Sequence, residues 1–267
     1  MTPFLPKVLE CTLADLEAKK TKEPLSQLEK RLSSLIPKSP ETLLDRFLGK
    51  EPETKLICEM KRASPSRGVL LEQVDFKELA QVYEGAGAFA LSVLTQPFGF
   101  HGSLIDLEVA RQAFSGPVLR KDFVLDIYQI YETVLAEADL VLLIVRILSR
   151  GKLEELVSLS RSVGLLPLIE IHSDDDLEKT SNLDGPLLFG LNARDLASLT
   201  IDHGRVETLL CKIAGSIPVV IESGIHRRGQ VLDYRKDPRV CAFLVGESIL
   251  KSCDPARKIR ELTGRHP

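Results

Sequence analysis

The stretch DLVLLIVRILSRGKLEELVSLSRSVGLLPLIEIH, Asp139–His172, holds three segments in series. Leu140–Val145 is apolar without a polar alternation. From Lys152 to Val163, Leu and Val recur at three- and four-residue intervals among Lys, Glu and Ser, and Gly164 closes the pattern. Leu166–Ile171 is again almost wholly apolar up to Glu170. A strand that is apolar on both sides must be covered on both sides, the condition met in a parallel sheet. Two parallel strands need a long crossover, and the amphipathic middle segment supplies it. The stretch therefore reads as strand, helix, strand.

The same unit recurs on either side. KLICE near Ile57, AFALSVL near Leu91 and PVLRK near Leu119 precede it, and LLFGLN near Phe189, IPVVIE near Val220 and CAFLVG near Phe243 follow it. With DLVLLIV and LPLIEI these make eight apolar runs. The intervening DFKELAQVYEGAG and DIYQIYETVLAEA have helical spacing and close on Gly or Ala. Eight such units predict an α/β fold of the (β/α)8 TIM-barrel type in preference to an open doubly wound sheet. The Gly-x-Gly-x-x-Gly turn of a dinucleotide-binding sheet is absent. Before the first run, VLECTLADLEAKKTKEPLSQLEKRLSSL repeats Leu and Val at helical spacing, and Pro24 and the segment Ile36–Glu41 break it into pieces. The expected organisation is an N-terminal helical extension, residues 1–50, packed on a catalytic barrel, residues 51–267.

Bulk properties narrow the function. Of 267 residues, 44% are hydrophobic and 27% charged, enough for a large core, and the net charge of −3 offers no basic field for nucleic acid. No apolar run has the length of a membrane span, and the first twenty residues lack a secretory apolar core. The five cysteines, Cys11, Cys58, Cys211, Cys241 and Cys253, form no Cys-x-x-Cys pair. A reduced, cytoplasmic protein without nucleic-acid or membrane partners is the expectation.

In a barrel of this kind chemistry sits where strands end. Glu59 and Lys61 follow the first run and share a face, because strand side chains alternate. Ser92 and Thr95 end the second, before PFGFHGS with Phe98 and Phe100. Lys121 ends the third, followed by Asp122 and Phe123. The fourth ends apolar. Glu170 and His172 end the fifth, Asn192 and Arg194 the sixth, Glu222, Ser223 and Gly224 the seventh, and Gly246, Glu247 and Ser248 the eighth. Any one of these charges has a bland explanation as a salt-bridge partner at the barrel top. Two lysines, three glutamates and an asparagine converging there are expensive to bury unless they work. The glycines after the last two runs, with Ser64 of the SPSRG loop opposite, suit a phosphate held by backbone N–H groups, though glycine also serves simple tight turns. No cluster has metal-ligand spacing, His172 lacks a nearby second histidine, and Ser223 lacks a nucleophile elbow. The Phe98 and Phe100 pair suits an aromatic substrate or ordinary packing.

CEMKRASPSRG, ALSVLTQPFGFHGS, PVLRKDFVLDIYQIYE, LPLIEIH, GLNARDL, IESGIH and AFLVGESIL occur in this order. Together they resemble the indole-3-glycerol phosphate synthase family of tryptophan biosynthesis, from the helical extension almost to the C-terminus. The resemblance implies a lyase that closes a pyrrole ring on carboxyphenylamino-deoxyribulose phosphate, losing carbon dioxide and water, with no metal or organic cofactor. It implies Lys121 as general acid, Lys61 as the cation near the departing carboxylate, Glu170 in the dehydration and Glu59 as the partner of Lys61 or Lys121. Asn192 and Glu222 match substrate-orienting residues, and Arg194 matches an arginine beside the carboxylate. Ser64, Ser223, Gly224, Gly246 and Glu247 fall at the phosphate, Glu247 through its backbone N–H, and Phe100 and Phe123 at the anthranilate ring. Which of Lys121, Lys61 and Glu170 makes each proton transfer stays open, as does association with itself or with other enzymes of that pathway.

Ala193 stands where many relatives have a second asparagine, and Gly229 and Pro238 predict a short helix after the seventh strand. Two rivals remain. A phosphoribosylanthranilate isomerase needs a Cys and Asp acid–base pair, and Cys58 has the opposite facing to Glu59. A non-catalytic phosphate-binding barrel would have a broken polar set, whereas Glu59, Lys61, Lys121 and Glu170 are all present.

Overall fold

All eight apolar runs form strands, and the strands close into one parallel barrel: β1 (Leu56–Met60), β2 (Ala90–Leu94), β3 (Val118–Lys121), β4 (Leu140–Ile144), β5 (Leu166–Ile171), β6 (Leu188–Asn192), β7 (Val219–Glu222) and β8 (Val240–Val245). Each pairs with its sequence neighbours, and β8 returns to β1 with Leu56 opposite Phe243 and Cys58 opposite Val245. The structure, a computed structural model, describes residues 4–50, 54–65, 68–70, 74–195 and 198–265.

Alternation sorts every strand into two faces. Ile57, Leu119, Leu140, Leu142, Leu166, Leu168, Leu188, Val220, Ala242 and Leu244 fill the barrel interior. Leu56, Cys58, Met60, Leu91, Val93, Val141, Leu143, Ile169, Ile171 and Phe243 face the helical layer. That is why the strands read as continuous apolar runs. Cys58 points outward, away from the interior occupied by Glu59, so the isomerase reading loses its acid–base pair.

The helical layer comprises α4 (Phe76–Gly85), α5 (Leu104–Ala113), α6 (Ile127–Leu135), α7 (Arg150–Ser162), α8 (Asp174–Lys179), α9 (His203–Lys212), α10 (Arg228–Tyr234), α11 (Glu247–Leu250) and α12 (Pro255–Thr263). Asp75, Ser103, Asp126, Ser149, Ser173, Asp202 and Asp254 cap α4 to α9 and α12, each accepting from a backbone N–H of the first turn. The helix after β7, α10, has seven residues, short as the sequence implies.

The extension forms α1 (Phe4–Lys22), α2 (Leu25–Leu32) and α3 (Pro40–Leu48), separated at Pro24 and the Ile36–Ser39 turn. It runs the height of the barrel. Phe4 reaches the C-terminal mouth; Leu16 and Leu28 pack on Tyr128 of α6, flanked by Lys19–Glu132 at 3.1 Å and Lys20–Asp126 at 3.0 Å. Phe47 of α3 closes the opposite end, edge-on to Phe89 with ring centroids 4.9 Å apart. Among the described residues no helix is long and apolar enough to cross a membrane.

Phe47 is fully enclosed at the end remote from the mouth. Phe47→Ala is expected to cost about 3 kcal/mol of stability by leaving a cavity, measured by urea unfolding followed by circular dichroism. Turnover well below the melting temperature should stay within about twofold of the unsubstituted chain.

Candidate active site

At the C-terminal mouth the strand ends line one cavity. Glu59, Lys61, Lys121, Glu170, Asn192 and Glu222 face it, as do Ser64, Phe100, Phe123, Arg194, Ser223, Gly224, Gly246 and Glu247. The structure thus brings together every site residue expected from sequence. Phe98 is not in this lining; it lies outside, stacked on Phe4 with centroids 6.0 Å apart. Of the SPSRG loop after β1, Ser64 and Pro65 line the cavity, while Ser66 and Arg67 lie outside the described residues.

The floor is an ionic cluster. Lys121 Nζ donates to Glu170 Oε2 at 2.9 Å and lies 3.5 Å from Glu222 Oε2, so the ammonium is bonded to the first carboxylate and only adjacent to the second. His172 Nε2 lies 2.8 Å from Glu170 Oε1. Lys61 bonds Glu59, settling which lysine that carboxylate holds directly. Burial works against the Lys121 ammonium, but Glu170, Glu222 and Glu59 outweigh it and raise its pKa above the ordinary lysine value. Burial also favours a neutral Glu170, yet Lys121 and the bond with His172 prevail and hold that carboxyl well below the usual range. For Glu222, burial leads; Lys121 offsets part of it, and the nearby Glu170 and Glu59 push further upward, so its pKa lies well above the carboxylate range. Glu222's oxygens have no hydrogen-bond partner among the described residues. One ammonium compensates one of the two carboxylates more fully, and Glu222 is the one whose protonated form the site favours.

Glycines make room for this cluster. A Cβ at Gly190 on β6 would collide with Glu222 Oε1, and a Cβ at Gly246 would collide with Glu59 Oε1. Gly246 therefore has a steric duty besides its place at the expected phosphate loop. On β7 the chain turns through Ser223 and Gly224 at φ 65° and 72°, consecutive left-handed residues that end the strand abruptly. Ser248 Oγ donates to the Ile225 carbonyl at 2.7 Å and ties this loop to the one after β8. Arg194 Nη2 donates to Glu247 Oε2 at 3.0 Å, so the Glu247 side chain is a partner of Arg194, apart from any contact of its backbone.

Residues 5–262 match the profile of the indole-3-glycerol phosphate synthase family. The chain belongs to that family. An indole-3-glycerol phosphate synthase of Campylobacter jejuni subsp. doylei is 39% identical over 259 residues, covering 97% of this chain and 99% of the relative. Indole-3-glycerol phosphate synthase 1 of Streptomyces coelicolor is 37% identical over 265 residues, covering 98% and 96%. Among solved structures, 3-hexulose-6-phosphate synthase from Salmonella typhimurium superposes with a TM-score of 0.61 at 15% identity, over 80% of this chain and 100% of that one. Tryptophan synthase subunit alpha from Legionella pneumophila gives 0.57 at 13%, over 84% and 97%. Likeness at such identities concerns the barrel alone.

Several residues of this indole-3-glycerol phosphate synthase family site escape a reading of strand ends. Phe4 enters the cavity wall from the extension, with ring centroids 5.9 Å from Phe100 and 6.4 Å from Phe123. Arg120 lies on the opposite face of β3 from Lys121, and Asp122, just past the strand's end, borders the cavity while its carboxylate pairs with Arg120. Arg120, 1% exposed, donates to Thr95, Gln129, Thr133, Asp122 and Glu132 at 2.9–3.2 Å, which uses its whole guanidinium fork. Asp122 also accepts from Thr95 Oγ1 at 2.6 Å and Gln96 Nε2 at 3.3 Å. Gln96 Nε2 donates in turn to Thr12 of α1 at 2.8 Å. The signal available in sequence was the run Arg-Lys-Asp itself: consecutive charges on a buried strand need partners on both faces. Among the described residues no group of three metal-ligating side chains stands together.

Two outcomes are expected. Gly190→Ala should displace Glu222 and lower kcat by about tenfold or more, with far-ultraviolet circular dichroism unchanged. The second concerns pH. Glu222 has a folded pKa raised above its unfolded value, so folding takes up a proton and this contribution to stability, full below the ordinary carboxylate pKa, is lost as pH rises toward the folded value. Glu222→Gln imitates the protonated acid and escapes that loss. Melting temperatures of the variant relative to the parent should therefore rise between pH 5 and pH 8; a constant difference would mean an ionised Glu222.

Proposed function

We propose that the chain catalyses the indole-3-glycerol phosphate synthase reaction, closing the pyrrole ring of carboxyphenylamino-deoxyribulose phosphate with loss of carbon dioxide and water. The observation that carries this is the Lys121–Glu170 pair at the floor of a cavity that Glu222 also lines. Ring closure joins the aromatic carbon bearing the carboxylate to the ketone carbon, and the ketone oxygen becomes an alkoxide. Lys121 gives that oxygen its proton, and an ammonium in a water-poor site stabilises the charge as it forms.

The new bond leaves a carboxylate on a saturated ring carbon. Loss of carbon dioxide returns the bonding pair to the ring and restores aromaticity. Lys61, held by Glu59, and Arg194 line the cavity as cations able to hold that carboxylate until it leaves. Dehydration follows: the hydroxyl departs with a proton, and the carbon next to the nitrogen loses one. This needs an acid and a base together. Glu222, which keeps its proton, and Glu170, which does not, are a pair whose environments drive their pKa values apart in the sense required. Asn192 orients the hydroxyls of the chain, and Phe100, Phe123 and Phe4 wall the aromatic ring. Ser64, Ser223, Gly224, Gly246 and the Glu247 N–H receive the phosphate.

In this reading the extension, residues 1–50, and the barrel, residues 51–267, work as one unit, because Phe4 of the first completes the mouth of the second. The enzyme acts on a phosphorylated small molecule in the cytoplasm.

Indole fluorescence tests the proposal directly, since the chain contains no Trp to obscure the product. Incubation with carboxyphenylamino-deoxyribulose phosphate should give a rising signal, and Lys121→Ala should lower kcat by about 100-fold or more. A folded parent chain that produces no indole would overturn the assignment.

A further inference from the structure

His172 is outside the cavity lining, yet it grips the site from behind. It follows β5 on the face of Glu170 and is fully buried. Its Nε2 lies 2.8 Å from Glu170 Oε1, while Lys121 holds Oε2 at 2.9 Å. An ionised carboxylate only accepts, so Nε2 carries the hydrogen of this bond. Its backbone N–H donates to Asp176 Oδ2 at 2.9 Å, and Asp176 N–H donates to Ser173 Oγ at 3.2 Å in the capped start of α8. The backbone that carries the ring is thus anchored by the first turn of a helix. Its other nitrogen, Nδ1, has no hydrogen-bond partner among the described residues. Stability does not favour such an arrangement. An enclosed ring with an unpartnered nitrogen costs what an apolar side chain of similar size would not.

We propose that His172 is a positioning residue for Glu170: its Nε2–H fixes the carboxylate through the oxygen turned away from Lys121. This rests on the proposed function. When Lys121 passes its proton to the substrate alkoxide, the ammonium becomes an amine, and Glu170 loses its charged donor at the moment it is about to act. The amine can still donate but no longer carries a charge, and the His172 N–H is a donor that the transfer leaves unchanged. It keeps the carboxylate plane aligned, with Oε2 facing the cavity, until the base is used. Glu222 has no such brace, since neither of its oxygens has a hydrogen-bond partner among the described residues.

A double-mutant cycle on the full chain tests this. His172→Leu should lower kcat about 10- to 100-fold with KM changed by less than about twofold. His172→Gln, which places an N–H within reach of Oε1, should recover about tenfold of that loss. In a Glu170→Gln background His172→Leu should cause no further loss, because it acts through the missing carboxylate. Losses that multiply in that background, a Gln variant no better than Leu, or a folded His172→Leu with the parent's kcat would each overturn the proposal. Nitrogen-15 spectra of the five histidines in the parent chain give a readout besides activity. The resonance absent from His172→Gln should show a protonated Nε2, and an unprotonated Nε2 would sink the idea. A parent chain without turnover would instead remove the proposed function, leaving the bond to Glu170 to stand or fall on the spectrum.

Discussion

An ammonium sunk into the mouth of a barrel among carboxylates is the constraint around which the rest is arranged. Lys121 sits on a strand whose interior neighbours are Leu and Val, where an isolated charge has no water to lean on. Its bond to Glu170 answers that charge, and the bond from His172 answers the remaining oxygen of the carboxylate. The second carboxyl then has no counterion of its own and retains its proton. A single cation thus divides two chemically identical side chains into an acid and a base. Close packing at this layer leaves no spare volume, so glycine stands at 190 and 246, where any side chain would strike a carboxylate.

Strand β3 shows what it takes to hold such a lysine. Alternation turns Arg120 away from the cavity, into the layer between strand and helix, where it and Asp122 at the cavity's border neutralise one another and bind Thr95, Gln129, Thr133 and Glu132. Through Gln96 the same network reaches Thr12 of α1. The extension is therefore joined to the reactive strand by hydrogen bonds as well as by the apolar packing of Phe4, Leu16 and Leu28. Polar groups enclosed this thoroughly fix geometry because any displacement leaves one of them unpaired.

The barrel was legible from residue pattern because parallel strands buried on both faces leave uninterrupted apolar runs, and strand alternation then placed Glu59 with Lys61 and Glu170 with His172. The ends of those runs named the polar groups of the site for the same reason. Three things were out of reach. Phe4 comes from a helix remote in sequence, and nothing in its own neighbourhood marks it as part of the mouth. The protonation of Glu222 depends on which carboxylate stands nearer to Lys121, a difference of 2.9 Å against 3.5 Å that spacing along a chain does not encode. Phe98 and Phe100 share a strand-end loop and one alternation class, and only the fold of that loop sends the second inward and the first against Phe4.

The pairing of β8 with β1 has a temporal side. Those two strands are the barrel's first and last, so the sheet keeps two open edges until nearly the whole chain is available, and the joint between them is the most non-local strand pairing in the barrel. That joint is also where Glu59 nests against Gly246. A folding intermediate with seven strands in place would possess Lys121 and Glu170 in register and still have no wall behind Glu59. The pocket is consequently complete only once the sheet has closed.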